Sequence, residues 1–199
     1  VTAANPDYAC YTFRGHVMAV SAEDGSVIWD SYAIPSPPAS VGTTSVGTDM
    51  LGPSGAPVWV SPTVDVDKNL LIFGTGENYS SPADTNSDAI IAVALDTGKR
   101  LWSRQTFPGD AWNVACMMAD NPNCPEEDGP DYDQASSPLL VDIGSDKTVV
   151  VAGQKDGRVF ALDWETGENK LWEVKLGRGS IQGGVHFGMA ADGKTVYVP

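Results

Sequence analysis

Three cysteines are the residues whose type and spacing speak first to chemistry: Cys10, Cys116 and Cys124. The last two bracket the Pro/Asn/Asp-rich loop from Met117 to Asn123. They either close a short disulfide, which would mean an oxidising compartment, or stand as two loop thiols; geometry decides between them. No Cys-x-x-Cys-His occurs, so c-type haem attachment within these 199 residues is excluded. The other reactive resource is carboxylate. Asp and Glu number 26 against 12 Lys and Arg, for a net charge of −14. That balance disfavours nucleic acid and anionic membrane surfaces as partners, because both need clustered cations. Runs of about 18 or more apolar residues, the mark of a transmembrane helix, do not occur. The chain opens on Val1, so an upstream leader is compatible with the sequence.

The elements that must position these groups repeat. Gly15–Trp29, Asp88–Trp102 and Gly157–Trp172 each read as an alternating apolar strand, a tight acidic-Gly or Thr-Gly turn, and a return strand ending on Trp. The three tryptophans fall at near-equal, long intervals, as in a radial or linear repeat array. Within that frame, 58–60, 70–73, 90–94 and 101–105 are expected as one four-strand set, and 138–141, 149–152, 159–162 and 171–174 as a second. His16–Val20 with Val27–Ser31, and Gly184–Ala190 with Thr195–Val198, are expected as halves of neighbouring sets. Four short antiparallel strands per unit define a propeller blade, and no window sustains the 3.6-residue period of a helix. The expected organisation is a single partial propeller over 1–199, with full blades at roughly 57–105 and 136–175 and a half blade at either end. Open edge strands would then be an association hazard. Two longer loops, Ile34 to Ala56 and Met117 to Ala135, are expected as functional rims. Trp29, Trp102 and Trp172 are expected to pack against the next unit.

The segments linking the repeats carry a resemblance. Ala92-Val-Ala-Leu-Asp-Thr-Gly98 ending on Trp102, with Ala161–Trp172, resembles the tryptophan-docking repeat of the pyrroloquinoline-quinone (PQQ) dehydrogenases. Gly55-Ala-Pro-Val-Trp59-Val-Ser-Pro-Thr, Gly74-Thr-Gly-Glu77-Asn-Tyr, Gly109-Asp-Ala-Trp-Asn113 and Gln154-Lys155-Asp-Gly follow in that family's order. With Cys10-Tyr-Thr-Phe-Arg-Gly15 and Asn123-Cys-Pro125, they are similar to the polyvinyl-alcohol dehydrogenase branch. The resemblance implies an all-β, quinoprotein-type, eight-bladed β-propeller of which this chain is part, with a quinone and a calcium ion near the axis.

Residue by residue, the resemblance implies that Trp59 stacks under the quinone and Lys155 contacts its oxygens and polarises the reacting carbonyl. Glu77 stands where the family has a calcium-ligating Asn, and a carboxylate is at least as good a hard ligand. The family's catalytic base is an Asp at the position held here by Asn113. An amide cannot take up a proton at neutral pH, which leaves Asp110, in the same turn, as the nearest candidate and Glu77 as another. Cys10 occupies the position of a calcium-ligating Glu, and Tyr11 replaces the second of a Cys-Cys pair, so no vicinal disulfide can form there.

The implied activity is that of a periplasmic or secreted oxidoreductase. It would oxidise secondary or polymeric alcohols by hydride transfer to pyrroloquinoline quinone, assisted by calcium, and pass electrons to a c-type cytochrome. The competing reading is a non-catalytic propeller, a scaffold or binding module that kept the repeat without the chemistry.

Overall fold

A computed structural model describes residues 12–145, 147–168 and 170–199. The first hairpin pairs β1 (His16–Val20) with β2 (Val27–Tyr32), and the second pairs β3 (Ala39–Thr43) with β4 (Asp49–Gly52). There follow β5 (Ser54–Gly55), β6 (Thr63–Asp65), β7 (Leu70–Gly74), β8 (Asn78–Ser80), β9 (Ala89–Ala94) and β10 (Arg100–Gln105). A 3-10 turn at Val114–Met117 precedes β11 (Leu139–Asp142), β12 (Thr148–Gly153), β13 (Arg158–Asp163) and β14 (Lys170–Lys175). A short pair, β15 (Ala190–Ala191) and β16 (Val196–Tyr197), comes last.

Two four-stranded antiparallel sheets form the centre, ordered β6-β7-β9-β10 and β11-β12-β13-β14. Their middle strands are apolar without interruption because both faces are buried. Successive residues of a strand point to opposite sides, so Leu70 and Ile72 enter one core while Leu71 and Phe73 enter another. The first core lies between the two sheets and joins Leu70, Ile72, Ile90 and Trp102 to Val150, Phe160 and Leu162. The second packs Phe73, Ile91 and Val93 against Val17 and Trp29 of the first hairpin, and a third packs Val149, Val151 and Val159 against Val185 and Val196.

The repeated tryptophans stitch neighbouring units together. Trp29 donates its indole N–H to the Leu95 carbonyl and Trp102 donates to that of Trp164, each at 3.0 Å. The turns they meet contain Gly98 (φ +68°) and Gly167 (φ +65°), where a Cβ would run into the indole ring. Gly is needed there twice over, for the left-handed backbone and for the close approach. Trp172, by contrast, is 43% exposed.

Three expected boundaries differ. The innermost strand of the first sheet is Thr63–Asp65 rather than 58–60, because Ala56 to Pro62 runs irregularly through the site described below. Gly184–Ala190 is loop except for its last residue, which begins β15. The expected loop from Ile34 to Ala56 contains the β3–β4 hairpin and pairs Ser54 with Ser80. The expectations on Cys10 and Tyr11 fall outside the described residues. No helix among the described residues is long and apolar enough to cross a membrane.

Candidate functional site

Loops at one end of the two sheets converge on a buried cluster of charge. Glu77 follows β7, Lys155 follows β12, Trp59 precedes β6, and Asp131 and Asp133 precede β11. Lys155 Nζ lies 2.7 Å from Asp133 Oδ2 and 3.0 Å from Asp131 Oδ1. Asp133 organises the rest. Its Oδ1 accepts the backbone N–H of Glu77 at 3.1 Å, and its Oδ2 also accepts the Trp59 indole N–H at 3.1 Å. The Lys155 ammonium sits 5.6 Å from the Trp59 ring centroid, within cation–π range. Trp59 itself keeps 42% of its surface exposed beside this fixed cation, and the His186 ring meets it edge-on with centroids 5.4 Å apart.

The carboxylates are crowded and dry. Glu77, Asp131 and Asp133 are all buried and offer oxygens within 4.8 Å of one another. Burial, then the charge of Asp133, pushes the Glu77 carboxyl well above its ordinary range. The same two causes raise Asp131 to about 7. Burial alone would lower Lys155, but the charges of Asp133 and Asp131 overcome it and raise the ammonium. Deeper still, Asp88 is fully buried at positive φ (47°), and neither of its oxygens has a hydrogen-bond partner among the described residues. Burial and the charge of Asp110 raise it well above the usual carboxylate range. Loading negative charge into so dry a space costs stability and marks a site where a cation is at home.

Of the residues expected from sequence, Trp59, Glu77 and Lys155 meet here. Asp110 stands one step behind: fully buried, it accepts the N–H of Asp131 at Oδ1 (3.3 Å) and that of Tyr132 at Oδ2 (2.8 Å). Its carboxyl, raised by burial, anchors the loop that carries Asp131, itself held at φ +58°. Asn113 lies farther out. Its Oδ1 accepts the N–H of Ala115 and caps the 3-10 turn, while its Nδ2 donates to the carbonyls of Tyr79 and Asn123. Asp110, the nearer of the two candidates for the base, and Asn113 thus both have their side-chain hydrogen bonds committed to backbone. Asp131 and Asp133 are the functional candidates that sequence reasoning passed over. The only signal was their place at the end of a long acidic loop, in Asp131-Tyr-Asp133 just before a strand. A Cys116–Cys124 disulfide closes the first part of that loop, ahead of both aspartates.

The donor set fits a hard divalent cation, since three clustered carboxylates supply oxygen and no thiolate. The partly exposed indole beside a fixed ammonium fits a flat, anionic ring system.

A family model described as the β-propeller domain of PQQ glucose/ethanol/alcohol dehydrogenases matches residues 2–178. The chain is 36% identical over 196 residues to a polyvinylalcohol dehydrogenase of Pseudomonas sp., covering 98% of this chain and 30% of the relative. A polyvinylalcohol dehydrogenase of Sphingopyxis sp. (strain 113P3) is 35% identical over 194 residues, covering 96% and 30%. The chain thus spans about 30% of the length of these curated relatives. Among solved structures, the quinohemoprotein alcohol dehydrogenase of Comamonas testosteroni superposes with a TM-score of 0.56 at 24% identity, covering 83% of this chain and 25% of that one. A europium-containing methanol dehydrogenase gives 0.57 at 20%, covering 83% and 30%. These likenesses are to the fold, and they make the two four-stranded sheets part of a β-propeller.

Proposed function

The chain belongs to the PQQ glucose/ethanol/alcohol dehydrogenase β-propeller family, and from that premise we propose that it forms the cofactor-facing part of a quinoprotein that oxidises secondary or polymeric alcohols. The observation that carries the reading is the meeting of Glu77, Asp131, Asp133 and Lys155 in one buried cluster with the partly exposed Trp59 indole. Glu77, with Asp133 beside it, would hold calcium; Trp59 and Lys155 would hold the quinone. When bound, pyrroloquinoline quinone supplies a two-electron hydride acceptor and calcium a Lewis acid.

The residues of the chain do the rest. Asp131 takes the proton of the alcohol hydroxyl, being the carboxylate held by Lys155 within reach of Glu77 and Asp133 at the cluster. Lys155 keeps positive charge at the Trp59 face and pairs with both Asp131 and Asp133. Asp133 fixes the direction of the indole and of the Glu77 backbone. Asp110 positions Asp131, and Asn113 shapes the loop around it. A propeller serving only as a scaffold would gain nothing from the cost of burying so many carboxylates around one lysine. A c-type cytochrome as electron acceptor and a periplasmic or secreted setting belong to the same proposal; the Cys116–Cys124 disulfide supports the oxidising compartment.

The test is Asp131→Asn in the full-length enzyme supplied with quinone and calcium. Turnover of a secondary alcohol is expected to fall at least about 100-fold, the usual contribution of a general base. Unchanged kcat would remove Asp131 from the reaction.

A further inference from the structure

The two long rims converge away from the charged cluster. The β3–β4 hairpin forms one wall and the disulfide-closed loop the other, and between them lies an open-sided groove of about 450 Å³, the size of a ligand site. Thr43 and Met50 line it from the hairpin, Ser80 and Ser81 from the end of β8, and Pro125 and Glu126 from the opposite loop. The walls are tied together. Ser80 Oγ donates to the Leu51 carbonyl, Ser81 Oγ accepts the N–H of Glu126 and donates to Glu127, and the Asn113 amide bridges Tyr79 to Asn123. A groove fixed from both sides is preformed for a ligand rather than a gap between mobile loops.

The chemistry of its lining is selective. Among the described residues no Lys, Arg or His lines the groove, and Glu126 is its single charge. An anion would find no counter-charge there, and a lone exposed carboxylate holds a cation weakly. What the walls offer is hydroxyl groups interleaved with methyl, methylene and proline surface. That pattern complements a neutral chain whose own hydroxyls alternate with methylenes: Ser80 and Ser81 tie the walls, while Thr43, Ser45 and the Glu126 carboxylate are left to meet ligand hydroxyls, and the carbon stem finds apolar wall. The groove is also connected to the chemistry. Glu77 immediately precedes β8 and Ser80 ends it, so at about 3.3 Å per residue the two lie roughly 10 Å apart along one strand.

We propose that this groove is a distal binding site for a polymeric, neutral polyalcohol, holding the chain while one of its hydroxyls reaches the carboxylate cluster. The inference rests on the alcohol-oxidising site proposed above and adds to it a reason for length selectivity. A short alcohol would use the cluster alone, whereas a long one would gain affinity from the groove without any change at the reacting centre.

The experiment uses the full-length protein and two groove variants, Thr43→Trp, which fills the space, and Met50→Lys, which puts a charge in the wall. Calorimetric titration without added quinone would compare a poly(vinyl alcohol) oligomer with dextran. In parallel, turnover of propan-2-ol by the quinone- and calcium-loaded enzyme reports the cluster alone. Saturable oligomer binding weakened at least ten-fold in both variants, with propan-2-ol turnover unchanged, is expected. Equal oligomer affinity in wild type and both variants, or dextran binding in place of the oligomer, would overturn the groove proposal. Oligomer binding lost in the variants, together with no propan-2-ol turnover in the wild type, would sustain the groove and overturn the catalytic reading alone.

Discussion

At the residue scale, Asp110 and Asp131 illustrate how an environment divides labour between two carboxylates. Asp110 has both oxygens filled by backbone N–H groups, whereas Asp131 pairs with Lys155 and faces the cluster. Asp110→Ala would leave two buried N–H donors unpaired, at about 1–3 kcal/mol each. It is therefore expected to lower the unfolding midpoint of the protein as well as its turnover. A variant that lost turnover at an unchanged midpoint would instead make Asp110 the base. Proton linkage gives a second check. The Asp131 carboxyl titrates near 7 in the fold and near 3.8 when unfolded, so between those values the unfolded chain ionises first. Stability of the calcium-free protein should fall as pH rises from about 4 to about 7, and Glu77, raised in the same direction, adds to the fall. Thermal unfolding in chelator across that range would show it, and calcium should restore the loss most strongly at the upper end. A flat profile would mean that the cluster keeps no excess protons.

At the scale of elements, the strands were legible because their physics is local. Unbroken apolar runs such as Val159–Leu162 within Arg158–Asp163, and Thr-Gly turns that need positive φ at Gly98 and Gly167, are written into short stretches of residues. Gly98→Val would combine a strained backbone with a Cβ inside the Trp29 ring. It is expected to cost roughly 2 kcal/mol or more, read as a lower unfolding midpoint. Tolerance of valine there would mean that the tryptophan docking is slack. The site was legible only in part, for the opposite reason. Trp59, Glu77 and Lys155 sit in short linking segments that hold their place relative to the strands, so a resemblance could carry them. Asp131 and Asp133 come at the end of a long loop, beyond its disulfide-closed first part, and what brings them back to Lys155 is a set of contacts between residues distant in sequence. Those contacts include the hold of Asp110 on the Asp131 backbone and of Asp133 on Trp59. Asn113 drew attention by its position, but three hydrogen bonds commit it to the loop. No local pattern announces such a commitment.

For the whole molecule, the two sheets bury their middle strands on both faces, yet among the described residues the outer strands do not close into a ring. Val27 and Ile28 are 59% and 62% exposed, and Trp172 and Val174 are each 43% exposed. Apolar strand edges of this kind recruit other strands. The 199-residue chain expressed by itself is expected to self-associate, and a monodisperse monomer in sedimentation would contradict that. The same architecture explains why the charged cluster is dry: neighbouring units lend it loops from both sides, so its carboxylates are shielded by backbone and core. The central claim, that this cluster accepts a calcium ion and a flat quinone, is tested most directly by adding pyrroloquinoline quinone to the full-length protein with calcium and following tryptophan fluorescence. The account predicts saturable quenching that disappears on chelation, in Trp59→Ala and in Glu77→Gln. Absence of quenching at high micromolar quinone, or quenching indifferent to all three changes, would contradict it.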